Sequence, residues 1–199
     1  MKKIKLNELT NIYIANIVNY DKEILKKQLI KNFEFNQGSE KYGLDISGEQ
    51  SILLIDSIEI NNIKNQCIHY VQSIDNTFNL AYCGKNWIYI NDNKTQETFY
   101  HEHIQNKIIP SLKNEWIYTF YLEMPDNLSA DEGYLFFKTN DGIEHKILPK
   151  EGEVIIFPAH LLHKPQLTPN TTKKRIVFGG AYCKIDINNS YTKNEKTFI

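Results

Sequence analysis

Two histidines separated by one residue, His101 and His103, form a motif that could bind a metal ion. Side chains two apart in a β-strand point to the same face, so both imidazoles can converge on one ion while Glu102 points away. Such a pair is half of a metal site, and His-x-His also occurs on solvated strands and loops. The motif predicts a metal centre only if the fold brings a third ligand to it.

A second histidine-containing segment offers that ligand. A glycine turn at Gly152 leads into an apolar strand that ends at Pro158, and His160 and His163 follow. A barrel could place either histidine opposite the first pair, whereas the alternative is that one or both are exposed loop residues. Of the two candidates we favour His163.

Arg175 is the only arginine among the 23 lysines and arginines, and it stands at the head of an apolar strand. A planar guanidinium can pair with a carboxylate through two parallel hydrogen bonds, which lysine does poorly. Lys173 and Lys174 suggest the alternative of an ordinary cation at a strand end. Because the arginine is unique, we favour a functional role.

The elements that must position these residues divide the chain into two halves. The first half predicts a strand over 12–18, a helix capped by Asp21, and a second helix over roughly 56–74. From residue 78 onward, short β-branched and aromatic runs alternate with turn signals. They predict strands at Trp87–Ile90, Trp116–Glu123, Tyr134–Lys138, Glu144–Leu148, Val154–Phe157 and Arg175–Lys184.

This pattern predicts a mainly β fold with N-terminal helices, in which an antiparallel jelly roll carries two helices on one outer face. We expect a single domain over 1–199. Its parts are an N-terminal strand with supporting helices (1–77), a β core (78–186) and a polar tail (187–199).

Composition excludes several classes of protein. The 199 residues carry a formal net charge of -1, so no excess of charge favours nucleic acid or an anionic membrane. No apolar run approaches the roughly 20 residues of a membrane span, and the N-terminus lacks the features of a secretory signal, so we expect a cytoplasmic protein. Cys67, Cys83 and Cys183 are too dispersed for a disulfide framework or a structural zinc site and are interpreted as buried thiols.

The order of motifs from Trp87 to Tyr182 resembles the iron(II)- and 2-oxoglutarate-dependent oxygenases, in particular a group of small bacterial and phage members. The resemblance implies a double-stranded β-helix. It also implies that His101, His103 and His163 bind Fe(II), and that Arg175 binds the distal carboxylate of 2-oxoglutarate.

The resemblance also gives Tyr121 a possible role, and strand parity makes Tyr89, Asn91 and Thr119 candidates for lining the pocket. Tyr121 stands where related hydroxylases place a tyrosine against the same carboxylate, although a core aromatic is an equally good interpretation. Strand parity puts Thr119 on the face of Tyr121 and puts Tyr89 and Asn91 on one face of an earlier strand, together with Trp87. For Trp87 a core position is the stronger expectation.

One position departs from the family pattern. Most members have a carboxylate two residues after the first histidine, where this chain has His103. Three neutral imidazoles leave the charge of iron(II) uncompensated by the protein, and they equally suit zinc or copper. Glu102 as a ligand would break the strand alternation.

The implied activity is hydroxylation of a C–H bond by O2, with 2-oxoglutarate converted to succinate and CO2. The alternatives are a three-histidine, cupin-like metalloenzyme that does not use 2-oxoglutarate and a non-catalytic jelly-roll binding module. The substrate is a small molecule or a peptide. It would be selected by loops at the barrel mouth, over 105–115 and 126–133, whose composition favours no ligand class. The sequence specifies no oligomeric state.

Overall fold

The structure, a computed structural model, describes residues 1–36, 49–52, 57–76, 81–83, 86–91, 98–104 and 114–184. These residues form two α-helices and eleven β-strands. In chain order they are β1 (Lys2–Lys5), β2 (Asn11–Asn16), α1 (Lys22–Asn36), β3 (Glu49–Ile52), α2 (Ile58–Ile74), β4 (Ala81–Cys83), β5 (Trp87–Asn91), β6 (Asn114–Glu123), β7 (Leu135–Lys138), β8 (Glu144–Ile147), β9 (Glu153–Pro158), β10 (Leu162–Pro165) and β11 (Arg175–Lys184).

The strands form two sheets in which every pair is antiparallel. The larger sheet has eight strands in the order β1-β2-β9-β6-β11-β5-β3, with β4 paired to β11, and the smaller has the order β10-β7-β8. The prediction of a mainly β, antiparallel fold with two helices is therefore confirmed.

Both helices begin at side-chain caps. The Asp21 carboxylate accepts a hydrogen bond from the backbone N–H of Ile24 at 2.9 Å, as the sequence predicted. Ser57 caps α2 by accepting from the N–H of Ile60 at 3.3 Å, so this helix begins two residues later than predicted. Asp56 and Ser57 are both good capping residues, and the sequence does not distinguish them.

The larger sheet separates two apolar cores. The first lies between this sheet and the helices, and the second lies between the two sheets. Strand alternation on β6 sends Tyr118, Phe120 and Leu122 to the first core and Ile117 and Tyr121 to the second. The functional candidates lie on the side of the second core.

Four strands were not predicted: β1, β3, β4 and β10. Each has only three or four residues, and β1 is an edge strand rich in lysine, so neither length nor composition marks them. Cys67 and Cys183 are buried thiols, as expected. The side chain of Cys83 and the tail 187–199 lie outside the described residues. Neither described helix has the length and apolar character that crossing a bilayer requires.

Candidate active site

Three histidines from distant parts of the chain meet between the two sheets. Their candidate ligand nitrogens on His101, His103 and His163 all lie within 4.8 Å of one another. The ring centroids of His101 and His163 are 4.3 Å apart, and that of His103 is 4.9 Å from His101 and 5.0 Å from His163. One metal ion can therefore be bound by all three imidazoles.

Backbone pairing brings these histidines together. His101 forms an isolated antiparallel bridge with His163, which belongs to β10. The N–H of His103 donates to the carbonyl of Ala159 at 2.9 Å. The described segment around His101 is not a regular strand, because within it only His101 forms a bridge. The convergence of His101 and His103 therefore does not depend on the strand alternation from which it was expected. His163 likewise lies in a strand of its own rather than in a loop after Pro158.

Hydrogen bonds orient the rings of His101 and His163. The Nδ1 atom of His101 lies 3.1 Å from the carbonyl of Phe99, and that of His163 lies 2.9 Å from the carbonyl of Leu161. A carbonyl can only accept, so each Nδ1 carries the proton and each Nε2 keeps its lone pair for a metal. Metal-binding histidines are commonly oriented by such a contact.

The surroundings favour the neutral form of His101 and His163. His163 is buried beside the ring of Phe157, whose centroid is 4.6 Å away, and Phe137 lies beyond it. Burial lowers the pKa of His163 well below its usual value, and the neighbouring His101 and His103 lower it further. Burial also lowers the pKa of His101, against the opposing effect of its hydrogen bond to Phe99. Neutral imidazoles are the form that binds a metal.

Arg175 lies fully buried at the start of β11, with 1% of its surface exposed. Its Nη2 donates to the carbonyl of Gln166 at 2.8 Å and its Nη1 to that of Gly133 at 3.3 Å. None of the ion pairs within the described ranges includes it. A buried cation whose hydrogen bonds go to uncharged carbonyl oxygens is costly unless a ligand supplies the missing negative charge.

Other polar groups around Arg175 lack well-formed hydrogen bonds. Among the described residues, the Nε of Arg175, the Nδ2 of Asn91 and the hydroxyl of Tyr89 are buried without a hydrogen bond of normal geometry. The Tyr89 hydroxyl nevertheless lies close enough to Arg175 and Asn91 for both to lower its pKa, against the larger effect of burial. The guanidinium carbon lies 5.6 Å from the centroid of the Tyr89 ring, and Asn91 is paired with Arg175 in the sheet. Thr168 donates to the Oδ1 of Asn91 at 2.7 Å, which leaves the amide N–H groups of Asn91 as donors. This cluster can donate hydrogen bonds to an anion.

Two residues of β6 lie on the same side of the larger sheet. Tyr121 is buried, and burial raises its pKa to about 12 despite the opposing effects of Arg175 and the Thr119 hydroxyl. Thr119 is also buried, and its hydroxyl lies 3.5 Å from the carbonyl of Ile155. The neutral Tyr121 hydroxyl adds a further potential donor.

Strand β5 extends from the three-histidine cluster to Arg175, which form the two ends of the candidate site. Trp87 stacks on His103, and Tyr89 and Asn91 follow on the same face of the strand. Alternate residues in a strand are about 7 Å apart, so the arginine end lies one or two such steps from the histidines. An elongated molecule with an acidic group can contact both ends.

Several other residues lie away from this cluster. The side chains of His160 and Glu102 are exposed, and neither belongs to the metal-capable group of the described residues. His69 is exposed on α2, and His145 lies on β8. The sequence did not indicate that Gly133 and Gln166 would bind Arg175, because they use backbone carbonyls that any residue could supply.

Comparison with known proteins gives matches only at the level of structure. No protein-family model and no curated protein matches the sequence. Many solved structures match the fold of this chain. One is a collagen prolyl hydroxylase of Paramecium bursaria Chlorella virus-1 in complex with 2-oxoglutarate, at 15% identity and a TM-score of 0.64, with 87% of this chain and 96% of that chain covered.

Two further matches are also complexes with bound molecules. A prolyl hydroxylase from Trichoplax adhaerens, in complex with a peptide of hypoxia-inducible factor, matches at 15% identity and a TM-score of 0.61, covering 87% and 83% of the two chains. HygX of Streptomyces hygroscopicus, with nickel and 2-oxoglutarate bound, matches at 10% identity and a TM-score of 0.60, covering 89% and 84%. The chain has the fold of the iron(II)- and 2-oxoglutarate-dependent oxygenases.

Proposed function

We propose that the protein is a non-haem iron(II)- and 2-oxoglutarate-dependent oxygenase that hydroxylates a C–H bond of a small molecule or peptide. The observation that carries this proposal is that one site contains both a cluster of three imidazoles and a buried guanidinium. Among the described residues, this guanidinium has no carboxylate partner. A fold shared with oxygenases of this type, at low sequence identity, adds support.

The donor set fits iron(II). His101, His103 and His163 would hold it, and imidazole nitrogens suit this metal. Iron(II) held there, together with 2-oxoglutarate and O2, would supply the oxidant: one oxygen atom would enter the substrate C–H bond and the other would enter the succinate formed from 2-oxoglutarate, with release of CO2.

The residues at the other end would bind and orient the acid. Arg175 would pair with the distal carboxylate of 2-oxoglutarate, and Asn91, Tyr89 and Tyr121 would donate hydrogen bonds to the same group. Burial raises the pKa of Tyr89, so its hydroxyl stays protonated and remains a donor at neutral pH. A fixed anchor of this kind aligns the acid with the histidines before reaction.

The surrounding fold would exclude water from the site. Phe137 and Phe157 line the wall beside His163, so the metal would lie against apolar rings. We further propose that the two sheets form a double-stranded β-helix, which would be one domain extending over 1–199. In support, β1, β2 and β3 belong to the same sheet as the later strands. The cytoplasmic location stays a prediction.

The test is conversion of 2-oxoglutarate to succinate. Purified protein with Fe(II), ascorbate and 2-oxoglutarate should form succinate slowly without substrate and faster with a substrate, and His163→Ala should abolish the reaction. Iron binding without succinate formation or 2-oxoglutarate binding would instead identify a three-histidine metalloenzyme of another type. Absence of metal binding would indicate a non-catalytic binding module.

A further inference from the structure

Trp87 contacts one of the three histidines face to face. Its indole stacks on the imidazole of His103 with ring centroids 4.9 Å apart and an interplanar angle of 20°. The other two histidines each place Nδ1 against a backbone carbonyl, which orients their rings. The ring of His103 packs against the aromatic face of Trp87.

Gly179 provides the space that the indole occupies. It is the partner of Trp87 in the β5–β11 pairing. A Cβ atom at position 179 would lie 2.5 Å from the Nε1 of Trp87 and 2.6 Å from its Cε2, closer than any real contact. The indole is rigid, so a side chain at this position would push the ring away from its place over His103. The backbone of β11 at Gly179 thus determines where the indole of Trp87 lies relative to His103.

The stack also has an electrostatic consequence. An imidazole that binds a metal cation carries partial positive charge, and the face of an indole attracts positive charge more strongly than the face of any other side chain. The contact should therefore be stronger when His103 binds a metal than when it does not. An interaction that favours the metal-bound state must raise the affinity for the metal.

From this geometry we propose that Trp87 is a positioning residue for the metal centre, which acts by orienting His103 and stabilising its metal-bound form. The inference rests on the proposed function, since it assumes that His103 is a ligand. A simpler interpretation is that Trp87, which is partly buried against the second core, contributes only to packing.

The two interpretations differ in the affinity for Ni²⁺ alone, measured by calorimetry on the metal-free protein. We expect Trp87→Leu to raise the dissociation constant by roughly 10-fold or more, as is typical of residues that support a ligand, and Trp87→Phe to raise it less. Gly179→Ala should act like Trp87→Leu.

Two controls separate the stack from general damage. Gly180→Ala would place its Cβ against Asn86 and Tyr118, 2.5 Å from a side-chain oxygen of each, so it should lower the melting temperature without weakening Ni²⁺ binding. Trp116→Phe changes the other tryptophan, which packs against the first core, and should leave Ni²⁺ affinity unchanged.

A double-mutant cycle decides the mechanism. In a His103→Ala background, adding Trp87→Leu should cause no further loss of Ni²⁺ affinity. The proposal is overturned if Trp87→Leu lowers only the melting temperature, or if its effect on affinity persists without His103. If Trp87→Leu does not fold, Trp87→Phe and Gly179→Ala carry the same test. Failure of the wild-type protein to bind Ni²⁺ would instead refute the metal centre itself.

Discussion

His101 and His163 exchange both backbone hydrogen bonds of one antiparallel bridge, at 3.0 Å each. Residues paired in this way project their side chains to the same side, so the backbone itself holds two of the three imidazoles together. The backbone pairing alone would thus form much of the proposed metal centre. Removing a side chain at this bridge should cost metal affinity without disturbing the backbone around it.

His163→Ala should nearly abolish metal binding. We expect a loss larger than the roughly 10- to 100-fold typical of residues that only support a ligand, because a ligand itself is removed. The measurement is the iron content of protein reconstituted anaerobically. His160→Ala is the matched control, since His160 is exposed three residues earlier, and it should retain the wild-type content. Equal iron content in His163→Ala and the wild type would contradict the ligand assignment.

Arg175→Gln should weaken the binding of 2-oxoglutarate to the Ni²⁺-loaded protein by roughly 10- to 100-fold, since a hydrogen bond to a charged group contributes about 1.5–3 kcal/mol. Calorimetry measures the dissociation constant. Lys173→Gln removes an exposed charge nearby and should change it little. The affinity for Ni²⁺ alone should be unaffected in both variants. Wild-type affinity for 2-oxoglutarate in Arg175→Gln would show that the anchor lies elsewhere.

Tyr121→Phe should weaken 2-oxoglutarate binding more modestly, by roughly 2- to 10-fold, because it removes one neutral donor. Tyr118→Phe is the matched control. Its hydroxyl is on the opposite side of β6, where it donates to Asn86 at 2.7 Å, so its loss should affect stability alone. If both variants bind 2-oxoglutarate like the wild type, Tyr121 is only a core aromatic.

His103→Asp should make metal binding less dependent on 2-oxoglutarate. In the wild type the cation meets three neutral ligands, so an acid that brings negative charge should tighten Ni²⁺ binding considerably. An aspartate supplies part of that charge within the protein. His103→Asn is the control, because asparagine has nearly the shape of aspartate but no charge, so the difference between the two variants measures the effect of the charge. Comparable tightening of Ni²⁺ binding by 2-oxoglutarate in wild type and His103→Asp would argue against charge compensation.

The metal-free protein should lose stability as the pH falls below about 6.5. The pKa of His163 is lowered by folding, so the unfolded chain binds a proton there that the folded chain does not yet bind. The free energy of unfolding should then fall by up to about 1.4 kcal/mol per pH unit. Urea unfolding at several pH values measures this slope. His163→Gln should reduce it, leaving the part due to His101, whose pKa burial also lowers, whereas His160→Gln should not change it.

Strand parity was the most informative signal in the sequence. It grouped Tyr121 with Thr119, and Tyr89 with Asn91, and the structure places each pair on the side of the second core. Alternation is a local property of the chain, so it can be deduced without knowing the fold. The same holds for the cap at Asp21.

Long-range pairing was not available from the sequence. The segment Leu162–Pro165 resembles a loop, with prolines nearby, and it becomes a strand only because β7 pairs with it. The bridge between His101 and His163 likewise depends on tertiary contacts. The carbonyls that bind Arg175 have no sequence signature at all, since every residue has one.

The two ends of the site belong to different layers of the fold. His163 is part of the three-stranded sheet, whereas Arg175 is part of the eight-stranded one. A ligand bound to both His163 and Arg175 would connect the two sheets, so the sheets could separate only after the ligand dissociated. Arg175 itself already connects the two sheets. It donates to the carbonyls of Gly133, just before β7, and Gln166, just after β10.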